Sequence, residues 1–427
     1  MKSPVFLHAS DLHLGQPLSR LGRGLGKDQS ESLTELAKKA LISLVDATIQ
    51  HQAEFLVLAG DIYDDADRES GAQVDFSLQL SRLEEHDIKV YIVHGNHDPS
   101  DSTDVPVVGL PSNVHVFQPS EPEVIRHELK GGGHVLVAGV SFSKRHEDAN
   151  LAKRISDLLG KRDTRSARAL IAVLHTNVGG SPGHLPYAPC TVGDLSNSPV
   201  HYWALGHVHK RRIESMGENR FWAYSGNLQG RFAVEEGPKG ALLVPILENG
   251  VGQPSLVECD KFRFINTEID CSSLTTLDKI KDAISEQIQA KAGSRLPIVS
   301  VSLTGTSSEA LAMIEKVTDD GTKPTNLIHQ LQRLLAPKLN DGHLQEVLVN
   351  VLPDLDFAAL ATRDDVIGDL LRAVESGQLK TLINEFLRDS RIASSEQLTD
   401  SESNSLHIQM KRELIRRLVR DMGVTQS

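Results

Sequence analysis

The 427-residue chain has only three cysteines, Cys190, Cys259 and Cys271, an odd number with no CxxC pair. Neither a disulfide framework nor a thiolate zinc site is suggested, and ordinary reduced thiols are expected. There is also no run of about 18 uncharged apolar residues, so no transmembrane helix is expected. The opening Met1-Lys2-Ser3-Pro4-Val5 leads to His8 and Asp11 too soon for a signal peptide, which points to a soluble, cytoplasmic protein without a membrane partner. Net positive charge is missing as well: 45 basic residues face 57 acidic ones, a balance of −12. That excludes coating of nucleic acid through bulk charge, so any nucleic-acid role needs local basic patches. The length predicts two or three domains.

Histidine is unevenly spread. Fifteen of the 18 lie at or before position 209, which directs attention to metal or acid–base chemistry in the first half. There, short apolar runs alternate with helical patterns. Val5–His8 and Phe55–Ala59 flank a stretch in which Leu33, Leu36, Ala37, Ala40, Leu41, Leu44, Val45 and Ile49 recur at helical spacing, a βαβ signature. Val90–Val93, Val135–Ala138, Leu170–Leu174, Tyr202–Leu205 and Ala241–Val244 supply further strands, and a layered α/β domain over residues 1–255 follows. Strand and helix patterns from Phe262 to Val351 predict a small α/β capping domain over 256–355. Residues 356–427 read as helical only. Leu406, Met410, Leu414, Leu418 and Met422 form an apolar stripe backed by Lys411, Arg412, Arg416, Arg417 and Arg420.

Five polar signatures each follow an apolar strand: Asp11-Leu12-His13, Gly60-Asp61, Gly95-Asn96-His97-Asp98, His175, and Gly206-His207-Val208-His209. In open α/β sheets the ligand site lies at the carboxyl ends of the strands, so these loops should converge on one place. A lone histidine after a strand is usually a capping or core residue, but five occurrences of ligand type make that bland reading improbable. Oxygen and imidazole donors without sulfur suit borderline metals. Seven candidates, Asp11, His13, Asp61, Asn96, His175, His207 and His209, are too many for one ion. Two divalent ions sharing a carboxylate, best Asp61, are expected, with manganese first and iron, zinc or magnesium as alternatives. A hydroxide held between them would attack phosphorus, and His97 is the natural proton donor to the leaving oxygen.

This order of motifs resembles the calcineurin-like metallophosphoesterase superfamily. The resemblance implies a four-layer α/β sandwich in which Asp11, His13, Asp61 and His209 hold one metal and Asp61, Asn96, His175 and His207 the other. It also implies that Asp98 orients a catalytic His97. Gly60–Asp64 and Ser225-Gly-Asn-Leu-Gln-Gly-Arg231 resemble the DNA repair exonuclease branch, which contains SbcCD-like and YhaO-like nucleases. Some of its members carry a histidine three residues after the bridging aspartate, where this chain has Asp64. An acid there repels phosphate unless a cation pairs with it.

Arg20, Arg23, Lys144, Arg145, Lys210 and Arg211 are the candidate DNA contacts, from the Gly-rich loop after the first motif, a basic run over 144–168, and the residues after the last ligand. The leading expectation is a metal-dependent DNA exo- or endonuclease acting with an SMC-like coiled-coil ATPase gripped by the C-terminal helices. Homodimerisation is implied by the resemblance. The alternatives are a phosphodiesterase or phosphatase on a small nucleotide, and a metal-stabilised scaffold.

Overall fold

The computed structural model describes residues 3–372 apart from 17, 19–26, 65–69, 101–107, 120, 180–186, 319–324, 340–341, 366, 367 and 370. Two compact units are present, residues 1–264 with 294–296, and residues 265–293 with 297–427.

The first unit is built on two six-stranded sheets. One contains β1 (Val5–Ala9), β2 (Phe55–Ala59), β3 (Lys89–Val93), β4 (Val114–Val116), β11 (Gly240–Pro245) and β12 (Ser255–Glu258), in the order β12-β11-β1-β2-β3-β4. The other contains β5 (Glu123–Glu128), β6 (His134–Gly139), β7 (Ala169–His175), β8 (Tyr202–Gly206), β9 (Arg212–Gly217) and β10 (Arg220–Tyr224), in the order β5-β6-β7-β8-β10-β9. β1 to β4 run parallel, as do β6, β7, β8 and β10. The antiparallel strands lie towards the margins.

Strands buried on both faces need an apolar residue at every position, and β2 and β7 are buried throughout. Phe6, Phe55, Val57 and Val93 meet Val137, Ile171, Val173 and Tyr202 between the sheets. On the far side of the first sheet, Leu7, Leu56 and Ile92 pack against Leu41, Leu44 and Val45 of α1 (Lys27–Gln50) and Phe76 and Leu80 of α2 (Ser70–Glu85). On the far side of the second, Leu174, Trp203 and Trp222 pack against Leu151, Ile155 and Leu159 of α3 (Leu151–Gly160) and Leu195 of α4 (Val192–Ser196). The result is a four-layer α/β sandwich, as expected.

α3 lies inside the basic run. Asn150 caps it by accepting the Lys153 N–H at 2.9 Å, and its apolar side is buried. Within that run Arg154 pairs with Glu121 and Arg168 with Glu248, so part of its positive charge is balanced locally. β4, β5, β9, β10 and β12 escape the sequence reading. β5 and β9 are polar edge strands without a clean apolar run, and β10 mixes Arg220 with aromatics.

The second unit holds β13 (Phe262–Asp270), β14 (Leu296–Thr304) and β15 (His343–Val349), in that order in one sheet, with β14 and β15 parallel. Its helices are α5 (Leu277–Ala292), α6 (Ser308–Thr318), α7 (Thr325–Leu339) and the short α8 (Phe357–Ala361). Ile280, Ile284 and Ile288 at four-residue steps give α5 a buried stripe, and together with Leu311, Ile314, Leu331 and Leu335 they cover Ile265, Val299 and Val301. The 406–422 stripe, and nearly all of the expected helical tail, lie outside the described residues. No described helix is long and apolar enough to cross a membrane.

His127 is buried and its Nδ1 lies 2.9 Å from the Tyr91 hydroxyl. Burial, reinforced by Lys130 and Lys89, pushes its pKa down from 6.5 to about 4. The unfolded chain takes up that proton near pH 6.5, so the stabilisation is complete above 6.5 and is lost as pH falls toward 4. His127→Gln should therefore reduce the loss of unfolding free energy between about pH 7 and pH 4.5 by about 2–3 kcal/mol. Denaturant melts at both pH values read this directly, and an unchanged loss contradicts it.

Candidate metal centre

Every parallel strand named by the five signatures delivers its polar residues at its carboxyl end. Asp11 and His13 follow β1, Asp61 follows β2, Asn96 and His97 follow β3, His175 ends β7, and His207 and His209 follow β8. The two sheets face each other, so these ends meet.

Glycine is required where the loops pack closest. A Cβ on Gly206 would overlap the Ala59 carbonyl oxygen, and one on Gly95 would overlap the Asp61 carboxylate. The backbone is strained here as well. Of eight non-glycine residues with positive φ among the described residues, four are Asp11, His13, Asp61 and His207. Such conformations cost about 1–3 kcal/mol each and persist where function over-determines them.

The ring nitrogens show which way the imidazole donors face. His209 Nδ1 lies 2.6 Å from Glu235 Oε1 and His13 Nδ1 lies 3.4 Å from Asp64 Oδ2. A carboxylate only accepts, so His209 Nδ1 donates to Glu235, whereas His13 Nδ1 stands within ion-pair distance of Asp64 without a hydrogen bond, and each ring turns its Nε2 inward. Those two Nε2 atoms face one another at 3.1 Å. His175 Nδ1 likewise donates to the Ala59 carbonyl at 2.9 Å, which turns Nε2 toward Asp61 Oδ2 at 3.3 Å and Asn96 Oδ1 at 3.0 Å. Asn96 Oδ1 is also 3.2 Å from His207 Nδ1. Asp61 Oδ2 lies 3.9 Å from His13 Nε2 on its other side, the position of a bridging oxygen.

Asp11, His13 and His209 form one group, and Asp11, Asp61 and His175 another, whose donor atoms lie within 4.8 Å of each other. Imidazole nitrogens and carboxylate oxygens converging at these distances can close around a cation, and a carboxylate-anchored imidazole such as His209 is the usual metal-ligand arrangement. The donor set fits divalent ions.

Protonation directions report the same field. Burial lowers the pKa of His175, yet Asp61 and Asp11 outweigh it and raise the value to about 9. Burial would raise that of Asp61, but His175, His13 and His97 hold it far below the carboxylate range.

His97 is the half-exposed member. Its Nδ1 donates to Asp64 Oδ1 at 2.6 Å, and this bond raises its pKa against the effect of burial. Asp98, expected to orient His97, does not do so. Its buried carboxylate accepts the backbone N–H groups of Asp61, Ile62 and Gly95 at 3.2, 2.8 and 2.7 Å and thereby fastens two ligand loops together. Asp64 takes that role instead. Its charge is balanced by Arg231, whose Nη2 lies 2.9 Å from Oδ2. A third possible cation group, His13, Asp64 and His97, is therefore served by a guanidinium already.

Glu235 was not anticipated from the sequence. It lies 26 residues beyond His209 in the chain, and its only local signal is its position four residues after Arg231. Burial would raise its pKa, but bonding to His209 lowers it to about 2.

Arg20 and Arg23 lie outside the described residues. Lys144, Arg145, Lys210 and Arg211 are exposed. The first two follow Phe142, whose ring meets His175 edge-on at 5.7 Å, and the last two follow His209 directly. Tyr63 packs edge-on against Phe76 at 5.7 Å.

Residues 4–211 match the family model described as calcineurin-like phosphoesterase. The chain is 35% identical over 247 residues to the uncharacterized metallophosphoesterase YhaO of Bacillus subtilis, covering 58% of each chain. It is 21% identical over 401 residues to the DNA double-strand break repair protein Mre11 of Sulfolobus acidocaldarius, covering 89% of this chain and 98% of the relative. The Mre11 protein of Methanocaldococcus jannaschii is 24% identical over 292 residues, covering 65% and 73%. A crystal structure of a dimetal phosphatase from Danio rerio aligns with 14% identity and a TM-score of 0.36, covering 60% of this chain and 98% of that one.

Cation binding should stabilise the native state. At a free Mn²⁺ concentration of about 100 times Kd the gain is about 2.7 kcal/mol per site. Thermal unfolding with and without a chelator measures it. The rise should shrink in Asp61→Asn, and a midpoint indifferent to both chelator and Mn²⁺ contradicts the assignment.

Proposed function

We propose, from the match of residues 4–211 to the calcineurin-like phosphoesterase model, that this chain is a dinuclear-metal phosphodiesterase whose substrate is DNA. The observation that carries the reading is the convergence of five strand ends around Asp61, whose Oδ2 lies 3.9 Å from His13 Nε2 and 3.3 Å from His175 Nε2, with His209 Nε2 3.1 Å from His13 Nε2. In this reading Asp11, His13, Asp61 and His209 hold one ion and Asp61, Asn96, His175 and His207 the other. Bound there, two divalent ions supply Lewis-acid stabilisation of phosphoryl charge and activation of water.

The chain's own residues do the rest. His97 stands half-exposed beside the ligand Asn96, with Nδ1 committed to Asp64, so Nε2 is the atom that hands a proton to the leaving oxygen. Asp64 fixes that ring orientation, and Arg231 keeps the carboxylate from repelling phosphate. Asp98 holds the Asp61 and Gly95 loops in register so that the bridging oxygen stays in place. Exposed Lys144, Arg145, Lys210 and Arg211 would meet backbone phosphates.

DNA is favoured over a small nucleotide because the likeness to Mre11 proteins, which are named for DNA double-strand break repair, extends beyond residue 211 and spans 98% of one of them. The open exposure of His97 also suits a polymer. In the same reading the segment 356–427, with its apolar stripe and basic face, is the contact for a coiled-coil ATPase, and the protein works in the cytoplasm as a homodimer.

The test is Mn²⁺-dependent cleavage of linear, nicked and circular DNA against a panel of cyclic and dinucleotides. His97→Ala should keep bound metal and lose turnover by about 10²–10⁴-fold. Asp64→Asn, which acts through the His97 and His13 rings that Asp64 faces, should lose about 10–100-fold. Cleavage of the nucleotides but not of any DNA would overturn the substrate assignment, and loss of metal from His97→Ala would make that residue a ligand.

A further inference from the structure

The loop that follows β10 is moored to the centre through one side chain. Glu235 is nearly buried and divides its two oxygens. Oε1 accepts the His209 Nδ1 proton at 2.6 Å. Oε2 accepts Asn227 Nδ2 at 2.9 Å and the backbone N–H groups of Arg231 and Phe232 at 2.6 and 3.2 Å. From the other side, Arg231 reaches Asp64, the partner of His97. Between these moorings the loop presents Phe232, 38% exposed, and Val234, 85% exposed, the most exposed large apolar side chain among the described residues.

We propose that Glu235 is a positioning residue that couples the metal ligand His209 to the 231–235 loop, so that cation binding at His209 fixes the loop that carries Phe232 and Val234. The physical basis is the imidazole between the two. Its Nδ1 proton is fixed by Glu235, which directs the Nε2 lone pair toward His13 and Asp11 and raises its basicity. A cation on Nε2 draws charge from the ring, and the Nδ1–H···Oε1 bond, already charge-assisted by the carboxylate, becomes stronger. The carboxylate is then restrained in position, and the three loop donors bonded to its other oxygen are restrained with it.

The inference rests on the reading of His209 as a metal ligand, and its test separates the two. Full-length wild type and Glu235→Gln are titrated calorimetrically with Mn²⁺ alone, and amide hydrogen exchange is followed at Arg231 and Phe232 with and without the ion. Saturation of the wild type should slow exchange at both amides. Glu235→Gln should bind Mn²⁺ about 10–100-fold more weakly, and its exchange at these amides should no longer respond to the ion. Wild-type affinity in Glu235→Gln, or wild-type exchange indifferent to Mn²⁺, overturns the coupling while leaving the metal centre intact. If Glu235→Gln fails to fold, the wild-type exchange comparison decides alone. A wild type that binds no Mn²⁺ removes the metal centre itself, and the coupling with it.

Discussion

His13 and His209 turn ring nitrogens toward each other at 3.1 Å, with Asp11 and Asp61 beside them. His209 Nδ1 is committed to Glu235 on the far side of its ring, and Asp64 stands on the far side of His13, so both Nε2 atoms are given to the cluster. The geometry is that of ligands arranged for a cation, and much of the first unit can be understood as the means of sustaining it. Left-handed backbone at Asp11, His13, Asp61 and His207 and the close approach of Gly95 and Gly206 are costs that a strand–loop connection free of this constraint would not carry.

A set of buried acids and bases surrounds the donors and divides the labour. Asp98 accepts hydrogen bonds from three backbone amides, with His94 Nδ1 3.7 Å from its Oδ2, and so joins the loops after β2 and β3. Asp64 faces two imidazoles and one guanidinium, linking His13, the half-exposed His97 and Arg231. Glu235 serves His209 and the loop after β10. Each ionised carboxylate is paired or saturated with donors, which is the condition under which charge can be buried without severe loss of stability. The −12 balance of the whole chain thus says little about the site, where acids are neutralised one by one.

The sequence was most readable where one signal coincided with another. Parallel strands buried on both faces show as unbroken apolar runs, and a ligand-type residue directly after such a run marks the carboxyl end of a strand, so the donors could be named without a structure. Polar edge strands such as β9 lack that run. α3 was hidden because its Leu151, Ile155 and Leu159 stripe is interrupted by the lysines and arginines that attract notice first. Contacts between loops were beyond reach. Asp98 sits beside His97 in the chain yet faces away from it, whereas Asp64, 33 residues earlier, touches it. Adjacency in sequence is a poor guide to who orients whom once a tight turn intervenes. Glu235 was missed for the same reason, since its partner lies on a different strand end.

The claim on which all of this rests is that the cluster holds two cations sharing the Asp61 carboxylate. Anomalous diffraction from crystals of the full chain grown with Mn²⁺ measures that most directly. Two peaks about 3.5–4 Å apart on either side of Asp61 are the predicted result. A single peak, or none among Asp11, His13, Asp61, Asn96, His175, His207 and His209, would contradict it.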